Sequence, residues 1–292
     1  MKYRYITAFL VLTAFFMACQ NREKEAKTPL GLANFHQLNS QVYSGSSPKT
    51  EADFKALADL GIRSIISVDG AHPKLIPAKK YGMKYAHVPV DYSGIDREEA
   101  KNILAAFHQL EKPVYIHCHR GTQRGPTAAM LILKQYFEAS QEKTLALMAD
   151  IGTSKSYTGL YKSVAEFKSL TKQEIEAVKA IPETAKVHEF ADRMAKIDRI
   201  WERLKGIQKG KWKKIDQTTE LDASHEVLLL REQFTELIRF NKKSELTAGL
   251  KHTEELLIKL EEIVLRAYIP QRDVLYKKVR QSCMDCHKKY RN

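Results

Sequence analysis

Residues 114–125 read VYIHCHRGTQRG, and they decide the fold of the first half of the chain. An apolar strand is predicted to end at His117-Cys118, a short loop with two glycines follows, and a helix is predicted over residues 127–137. A turn from strand to helix directs successive backbone N–H groups into one concavity, and the N-terminus of the helix adds positive potential. The sequence therefore predicts a binding site for an oxyanion such as phosphate.

Two side chains of this loop carry the chemistry. Arg124 follows Cys118 in a Cys-x5-Arg spacing, which lets its guanidinium group reach back across the loop and bind two oxygens of the anion. Cys118 lies at the base of the same positive field, so we expect it to ionise readily and act as a nucleophile. The alternative interpretation is a buried core cysteine without a chemical role.

Strand and helix patterns alternate from residue 34 onward. Strands are predicted at 41–43, 63–68, 84–90 and 113–117, and helices at 50–60, 77–81 and 97–110, with Thr50 and Asp96 as N-caps. Alternation of this kind predicts a central, largely parallel sheet with helices on both faces. In such sheets ligands bind beyond the carboxyl ends of the strands, which is where the loop after Cys118 lies.

The pattern His117-Cys118-x2-Gly121-x2-Arg124 resembles the signature of the dual-specificity and tyrosine phosphatases. The segment from Asn34 to Pro48 also resembles the opening of small bacterial members of that family. The resemblance covers residues 34–170. It implies the α/β cysteine-phosphatase fold, an anionic phosphorylated substrate, and hydrolysis of phosphate monoesters through a phosphocysteine.

The resemblance also implies a role for each residue of the site. Cys118 would attack phosphorus, Arg124 would hold the equatorial oxygens, and His117 would support the thiolate. Asp91 lies in the region of the family's general acid; Asp96 is the second candidate, although its N-cap position is a sufficient structural explanation. The remaining loop residues are predicted to contact the substrate: His119, Arg120, Gly121, Thr122, Gln123 and Gly125. Arg120 either favours a substrate with a further anionic group or is a solvated loop charge.

One position departs from the family pattern. The family usually has Ser or Thr directly after the arginine, where the hydroxyl eases departure of the thiolate, but this chain has Gly125, and its next hydroxyl is on Thr127. An alternative function of this domain is therefore anion binding without turnover.

Residues 184–292 read as a second, all-α domain after a linker at 171–183. Helices are predicted at 185–205, 218–241, 245–267 and 271–290. Apolar residues recur in the first of them at spacings of three and four, for example Ile197, Trp201 and Leu204, which is typical of the seam of a bundle. The prediction is an antiparallel four-helix bundle.

The last predicted helix contains Cys283-Met284-Asp285-Cys286-His287. On a helix Cys283, Cys286 and His287 share one face, so the two thiols can bond the vinyl groups of one haem while the imidazole binds its iron. A disulfide or half of a zinc site are the alternatives. The motif and its place resemble the class II cytochromes c, which implies haem c and His287 as the axial ligand. Met194 is either a sixth ligand or part of the core. The alternative function of the whole chain is thus a c-type cytochrome, for electron transfer or gas binding, whose phosphatase-like domain binds an anion without turnover. A third hypothesis is thiol chemistry on a sulfur or nitrogen oxyanion, with haem as the electron carrier.

The N-terminus has the pattern of a bacterial export signal. A basic start precedes a short apolar run that ends in Phe16-Met17-Ala18-Cys19, which resembles a lipobox. The expectation is a signal over 1–19, lipidation of Cys19, a tether over 20–33, and a periplasmic or membrane-anchored lipoprotein. Ordinary cleavage or a short retained anchor are the alternatives.

The net charge of the chain and its resemblance to class II cytochromes c suggest which partners it binds. The formal net charge is +13, but no basic motif of a known nucleic-acid fold is recognisable, so nucleic acid is not expected. Basic residues surround the CxxCH motif, among them Lys278, Arg280 and Lys288. They would suit an acidic redox partner or form a solvated basic face. The class II resemblance also suggests a homodimer.

Overall fold

The computed structural model describes residues 31–212, 222–241, 243–265 and 269–290. The predicted signal with Cys19, and most of the predicted tether, lie outside this range. The described strands are β1 (His36–Gln37), β2 (Val42–Ser46), β3 (Ser64–Ser67), β4 (Lys84–His87) and β5 (Val114–Cys118). The described helices are α1 (Glu51–Asp59), α2 (Leu75–Lys80), α3 (Arg97–Gln109), α4 (Arg124–Tyr136), α5 (Gln141–Ile151), α6 (Thr158–Ala165), α7 (Lys172–Glu176), α8 (Glu189–Lys209), α9 (Ala223–Phe240), α10 (Ser244–Leu265) and α11 (Ile269–Tyr290).

The described strands form one five-stranded sheet in the order β1-β2-β5-β3-β4. β1 is antiparallel to β2, and the other neighbours are parallel, so the sheet is mixed. The expectation of a largely parallel sheet is confirmed, and the two-residue edge strand β1 is an addition that the sequence pattern did not reveal. β5 lies at the centre, with Cys118 opposite Ser46 of β2 and His117 opposite Ser67 of β3.

Helices cover both faces of the sheet, as predicted. Two neighbouring residues of β5 illustrate the cause. Tyr115 packs in a buried cluster with α1 and α2, whereas Ile116 packs in a second cluster with α3 and α4. Successive residues of a strand point to opposite faces, and both faces here are apolar. Leu32 is buried in the first cluster, although it falls within the range 20–33 that was expected to be tether.

Helix starts follow the capping chemistry of the sequence. Thr50 begins α1 and Asp96 begins α3, each in a capping box with the residue three positions later. α5 and α6, which lie beyond the predicted alternation, complete the cover of the second face through Met148 and Leu160.

The segment predicted as a linker, 171–183, is folded onto the first domain. Ile175 of α7 is buried in the sheet cluster, and Arg97 contacts Glu174 at 2.5 Å. The backbone N–H of His87, at the end of β4, donates to the carbonyl of Pro182 at 2.9 Å. These contacts make the segment part of the α/β domain.

Four helices, α8–α11, form the C-terminal region and share one buried core, which confirms a helical second half. Leu204, Val227, Leu257 and Val279 each belong to that core. α8 starts at Glu189 rather than near residue 185, because the N–H of Ala185 donates to His87 Nδ1 at 3.1 Å and holds the preceding chain against the sheet domain. Within the described ranges, no helix has both the length and the apolar character that a membrane crossing needs.

Candidate active site

The loop between β5 and α4 turns its carbonyl groups outward. The carbonyl of His119 accepts from Ser47 N at 3.2 Å, and that of Arg120 accepts from Asn34 Nδ2 at 2.7 Å. Thr122 O accepts from the Thr153 hydroxyl at 2.7 Å. In a trans peptide the N–H group points opposite to the carbonyl. The N–H groups that follow these carbonyls therefore face the inside of the loop, as an anion site requires.

Gly121 is the residue that makes this loop geometrically feasible. Its φ angle is +76°, and a Cβ atom there would lie 2.2 Å from the backbone carbonyl carbon of Gly45. A side chain at 121 would thus be strained by the backbone conformation and would also collide with β2. The predicted need for glycine in the loop has a direct physical cause at this position.

Arg124 is the first residue of α4, and its side chain is buried and held on three sides. Its Nη1 donates to the carbonyl of Val90 at 3.1 Å, its Nη2 donates to Asp69 Oδ1 at 3.0 Å, and the ring of Tyr92 lies 4.4 Å from the guanidinium carbon. Its Nε is buried and has no hydrogen-bond partner. A buried donor without a partner is costly, so an oxyanion that accepts from Nε would complete the site.

Asp69 is a site residue that sequence reasoning missed. It follows β3, the strand beside β5, and is almost fully buried. Burial alone would raise its pKa, but Arg124 and then Arg199 of α8 outweigh burial and hold the pKa below its ordinary value. Asp69 is therefore ionised at neutral pH and positions Arg124 rather than donating a proton. The carboxyl end of a strand is the only signal that could have indicated it.

His117 lies behind the reactive cysteine. Its Nε2 is 2.5 Å from the Tyr85 hydroxyl on β4, and both side chains are buried. Burial lowers the pKa of His117 to about 4, so the imidazole is neutral at physiological pH. Cys118 itself is 2% exposed and ends β5 at the floor of the loop.

Asp91 lies next to the arginine site and is exposed, and its two neighbours, Val90 and Tyr92, both contact Arg124. Its Oδ1 accepts hydrogen bonds from the backbone and hydroxyl of Ser93, at 2.8 Å and 2.5 Å. Asp96 instead accepts from Glu99 N at 2.8 Å as the cap of α3. Asp91 thus lies in the chain between two residues that contact Arg124, and Asp96 has a structural task as the cap of α3.

Gly125 packs directly against the backbone of the nucleophile. A Cβ atom at this position would lie 3.1 Å from Cys118 N, so a Ser or Thr side chain would stand beside the cysteine. The hydroxyl of Thr127 does not replace it, because that group donates to the carbonyl of Gln123 at 2.9 Å within α4. Gln123 in turn accepts from Ser154 N at 3.0 Å through its side chain.

His119 is buried beside the C-terminal region, and Arg120 contacts the same region although its side chain is 53% exposed. Arg120 Nη2 donates to Asp198 Oδ1 at 2.7 Å, and His119 Nε2 lies 3.1 Å from Glu202 Oε2 without hydrogen-bond alignment. Asp198 and Glu202 both belong to α8. The rim of the phosphate loop therefore includes a helix from outside the α/β domain, which the sequence did not reveal.

Cys283, Cys286 and His287 lie on α11, and Cys286 lines a neighbouring cavity that neither Cys283 nor His287 lines. Cys283 packs at the edge of the bundle core, and burial raises its pKa to about 12. Cys286 lines a cavity of about 640 Å³, and a Cβ atom on Gly249 of α10 would lie 3.7 Å from its sulfur. Met194 packs against the bundle core instead of lining this cavity. Among the described residues, no cluster of three or more His, Cys, Asp or Glu side chains suits a metal ion.

Comparisons with known proteins find similarity to about half of the chain. Among solved structures, the chain is similar to TpbA of P. aeruginosa (16% identity, 47% of this chain and 86% of that one, TM-score 0.42). It is also similar to the core catalytic domain of the PP-IP phosphatase SIW14 of S. cerevisiae (20%, 46% and 85%, 0.40). A DUF442 protein of Shewanella putrefaciens CN-32 is a third (25%, 46% and 93%, 0.38). A comparison with curated proteins found no match.

A family model decides the assignment. The model of the Swiss Army Knife protein, DSP-PTPase phosphatase domain (PTP-SAK), matches residues 36–182, about half of the chain. This range contains all five strands of the sheet, the loop from Cys118 to Arg124, and the folded segment with α7. The chain therefore belongs to the PTP-SAK family of DSP-PTPase phosphatase domains.

Proposed function

We propose that the first domain hydrolyses phosphate monoesters through a phosphocysteine formed on Cys118. The observation that carries the proposal is the buried, unpartnered Nε of Arg124 above a loop whose N–H groups face inward. Together they would bind the three equatorial oxygens of a transferring phosphoryl group. Because these donors are fixed in advance, they stabilise charge that develops in the transition state without reorganisation.

The proposed reaction has two chemical steps. The Cys118 thiolate attacks phosphorus, an S–P bond forms, and the P–O bond to the leaving group breaks. The Asp91 carboxylic acid gives its proton to the leaving oxygen. The Asp91 carboxylate then takes a proton from water, which attacks phosphorus and breaks the S–P bond. Inorganic phosphate leaves and the thiolate is restored.

One experiment tests this proposal. The purified chain should release phosphate from an aryl phosphate, and Cys118→Ser should abolish release. Asp91→Asn should reduce the rate by about 10²–10⁴-fold, with the larger effect on substrates with poor leaving groups. Asp96→Asn is the matched control, because its carboxylate caps α3, and it should retain turnover. Phosphate binding without any turnover in the unmodified protein would contradict the proposal.

A second candidate function is anion binding without turnover. It is favoured by Gly125, since the hydroxyl that would assist the second step is missing and Thr127 is engaged elsewhere. In that case an aryl phosphate would yield at most one equivalent of phenol, or none. The same assay therefore separates the two candidates.

We also propose that the C-terminal region carries one haem c. The cavity beside Cys286 is within the usual size range of ligand pockets, and burial keeps the Cys283 thiol protonated. Cys283 and Cys286 would form the two thioether bonds, and His287 would be the axial ligand. Haem bound there would supply electron transfer or binding of a small gas.

Haem attachment is tested in a host that matures c-type cytochromes. Protein from that host should show a covalent haem spectrum that survives acid-acetone extraction. The Cys283→Ser, Cys286→Ser double variant should lose it while retaining helical circular dichroism. If the unmodified chain binds no haem but its two thiols form a disulfide, the proposal is wrong.

The N-terminal pattern is the support for export of this chain. We infer that the chain is an exported bacterial lipoprotein, tethered through a lipid on Cys19. Membrane fractionation after expression in a bacterium tests this inference. Cys19→Ser should move the protein from the membrane fraction to the soluble fraction. An unchanged distribution would contradict lipidation at this residue.

A further inference from the structure

Two carboxylates of α8 contact the side chains of His119 and Arg120 in the phosphate loop. Asp198 accepts from Arg120 Nη2 at 2.7 Å, and its other oxygen lies 3.5 Å from His119 Nε2. Glu202 lies 3.1 Å from His119 Nε2 and 3.5 Å from Arg120 Nε. Each carboxylate therefore touches both loop residues, and the four side chains form one cluster at the rim of the site.

The helix presents this pair rigidly. Asp198 and Glu202 are four residues apart, so they share one face of α8. The opposite face carries Ile197, Ile200 and Leu204 into the bundle core. Because α8 is held by that core, the backbone of both carboxylate residues keeps its place beside the loop.

The cluster leaves Arg124 and Arg120 in different situations. Arg124 retains a buried donor without a partner, so it is available to the phosphoryl group. Arg120 already pairs with both Asp198 and Glu202, and the contact with His119 lowers the pKa of Glu202 to about 2. Glu202 therefore stays ionised at neutral pH. A second anionic group beside the bound phosphate would lie next to Asp198 and Glu202 and would find Arg120 already paired.

We propose that Asp198 and Glu202 are specificity-determining residues of the phosphatase site, which restrict it to phosphate esters without a second anionic group near the phosphate. The inference rests on the proposed function, since it takes the loop between Cys118 and Arg124 as the phosphate site. It assigns to α8, outside the α/β domain, the choice of substrate class.

Binding of two inorganic anions tests the inference without turnover. In the full chain carrying Cys118→Ser, calorimetry gives Kd values for inorganic phosphate and for pyrophosphate, which adds a second anionic group. The Asp198→Asn, Glu202→Gln variant should bind pyrophosphate about tenfold more tightly, as expected for one freed charge-assisted hydrogen bond, with less than about a threefold change for phosphate. Adding Arg120→Ala should remove the gain.

The matched control is Asp192→Asn on the same helix, because Asp192 pairs with Lys196 at 2.8 Å away from the loop. It should change neither Kd value. If the double variant loses its helical circular dichroism, Asp198→Asn alone serves as the test, with a gain of severalfold for pyrophosphate.

The outcomes separate this inference from the proposed function. An unchanged ratio of the two Kd values overturns the inference and leaves the phosphate site standing. Equal tightening of both anions also overturns it, because α8 would then limit access instead of selecting a substrate. Absence of phosphate binding in every variant overturns the proposed function and the inference together.

Discussion

Asp69 Oδ1 accepts a hydrogen bond from Arg124 Nη2 at 3.0 Å, and both side chains are buried. The second oxygen of Asp69 lies 3.2 Å from Arg199 Nη2 on α8. One carboxylate thus links the arginine of the phosphate loop to the C-terminal helices. Because Arg124 must be fixed before an anion arrives, this contact is a condition for the site and not only a stabilising pair.

Asp69→Asn is expected to destabilise the protein strongly. Removing one partner of a buried ion pair leaves the other charge uncompensated, which costs about 3–5 kcal/mol. Chemical denaturation followed by circular dichroism measures the free energy of unfolding. The matched control is Asp59→Asn, because Asp59 forms an exposed pair with Lys55 on α1 and its loss should change the free energy by less than about 1 kcal/mol. Similar losses for both variants would contradict the buried pairing.

Glu202 predicts a pH dependence of stability. Its pKa in the folded protein is about 2, against an ordinary value of 4.5, so the folded state favours the carboxylate. The stabilisation is fully present above pH 4.5 and is lost as pH falls from 4.5 toward 2. Unmodified protein should thus be more stable than Glu202→Gln at pH 7, and the difference should disappear near pH 2. A difference that is constant with pH would contradict the contact with His119.

The Tyr85–His117 contact predicts a third measurable effect. Tyr85→Phe leaves the buried Nε2 of His117 without its 2.5 Å partner, and an unsatisfied buried polar group costs about 1–3 kcal/mol. Denaturation curves should show that loss. Tyr81→Phe provides the control, since its hydroxyl contacts Glu51 at the surface at 3.1 Å and should change the free energy of unfolding little.

Substitution of Met194 tests whether this residue is a ligand in the proposed haem site. It packs against the bundle core and does not line the cavity beside Cys286. In protein that carries haem, Met194→Leu should therefore leave the absorption spectrum of both redox states unchanged, with at most a small loss of stability. A change in the spin state of the iron would identify Met194 as a ligand and contradict its assignment to the bundle core.

Local sequence signals predicted much of the fold and part of the site. The capping residues Thr50 and Asp96 marked the starts of α1 and α3, and the pattern around Cys118 marked the strand, loop and helix. These features depend on neighbours in sequence. The partners of Arg124 depend on strand order instead, because Asp69 reaches it only when β3 lies beside β5.

The contribution of α8 was not predictable for the same reason. Asp198 and Glu202 occupy the polar face of an amphipathic helix, where a solvated charge is the ordinary expectation. The packing of the segment before α8 on His87 and the pair between Asp69 and Arg199 bring them to Arg120. No spacing or motif in one sequence records a contact between residues 78 positions apart.

Gly125 decides how fast a phosphocysteine on Cys118 could break down. Gly125→Ser would place a hydroxyl beside Cys118, because a Cβ atom at this position lies 3.1 Å from Cys118 N, and the substitution requires the Cys118 backbone to move by a few tenths of an ångström. A hydrogen bond to a charged group contributes about 1.5–3 kcal/mol, which corresponds to roughly a 10- to 100-fold faster breakdown. Rapid-quench kinetics with an aryl phosphate should show a burst in the unmodified protein that Gly125→Ser removes by accelerating the second step. Gly125→Ala is the matched control, since it adds the same Cβ atom without the hydroxyl and should retain the burst. If Gly125→Ala accelerates breakdown equally, the effect comes from backbone packing and the missing hydroxyl is not what limits turnover.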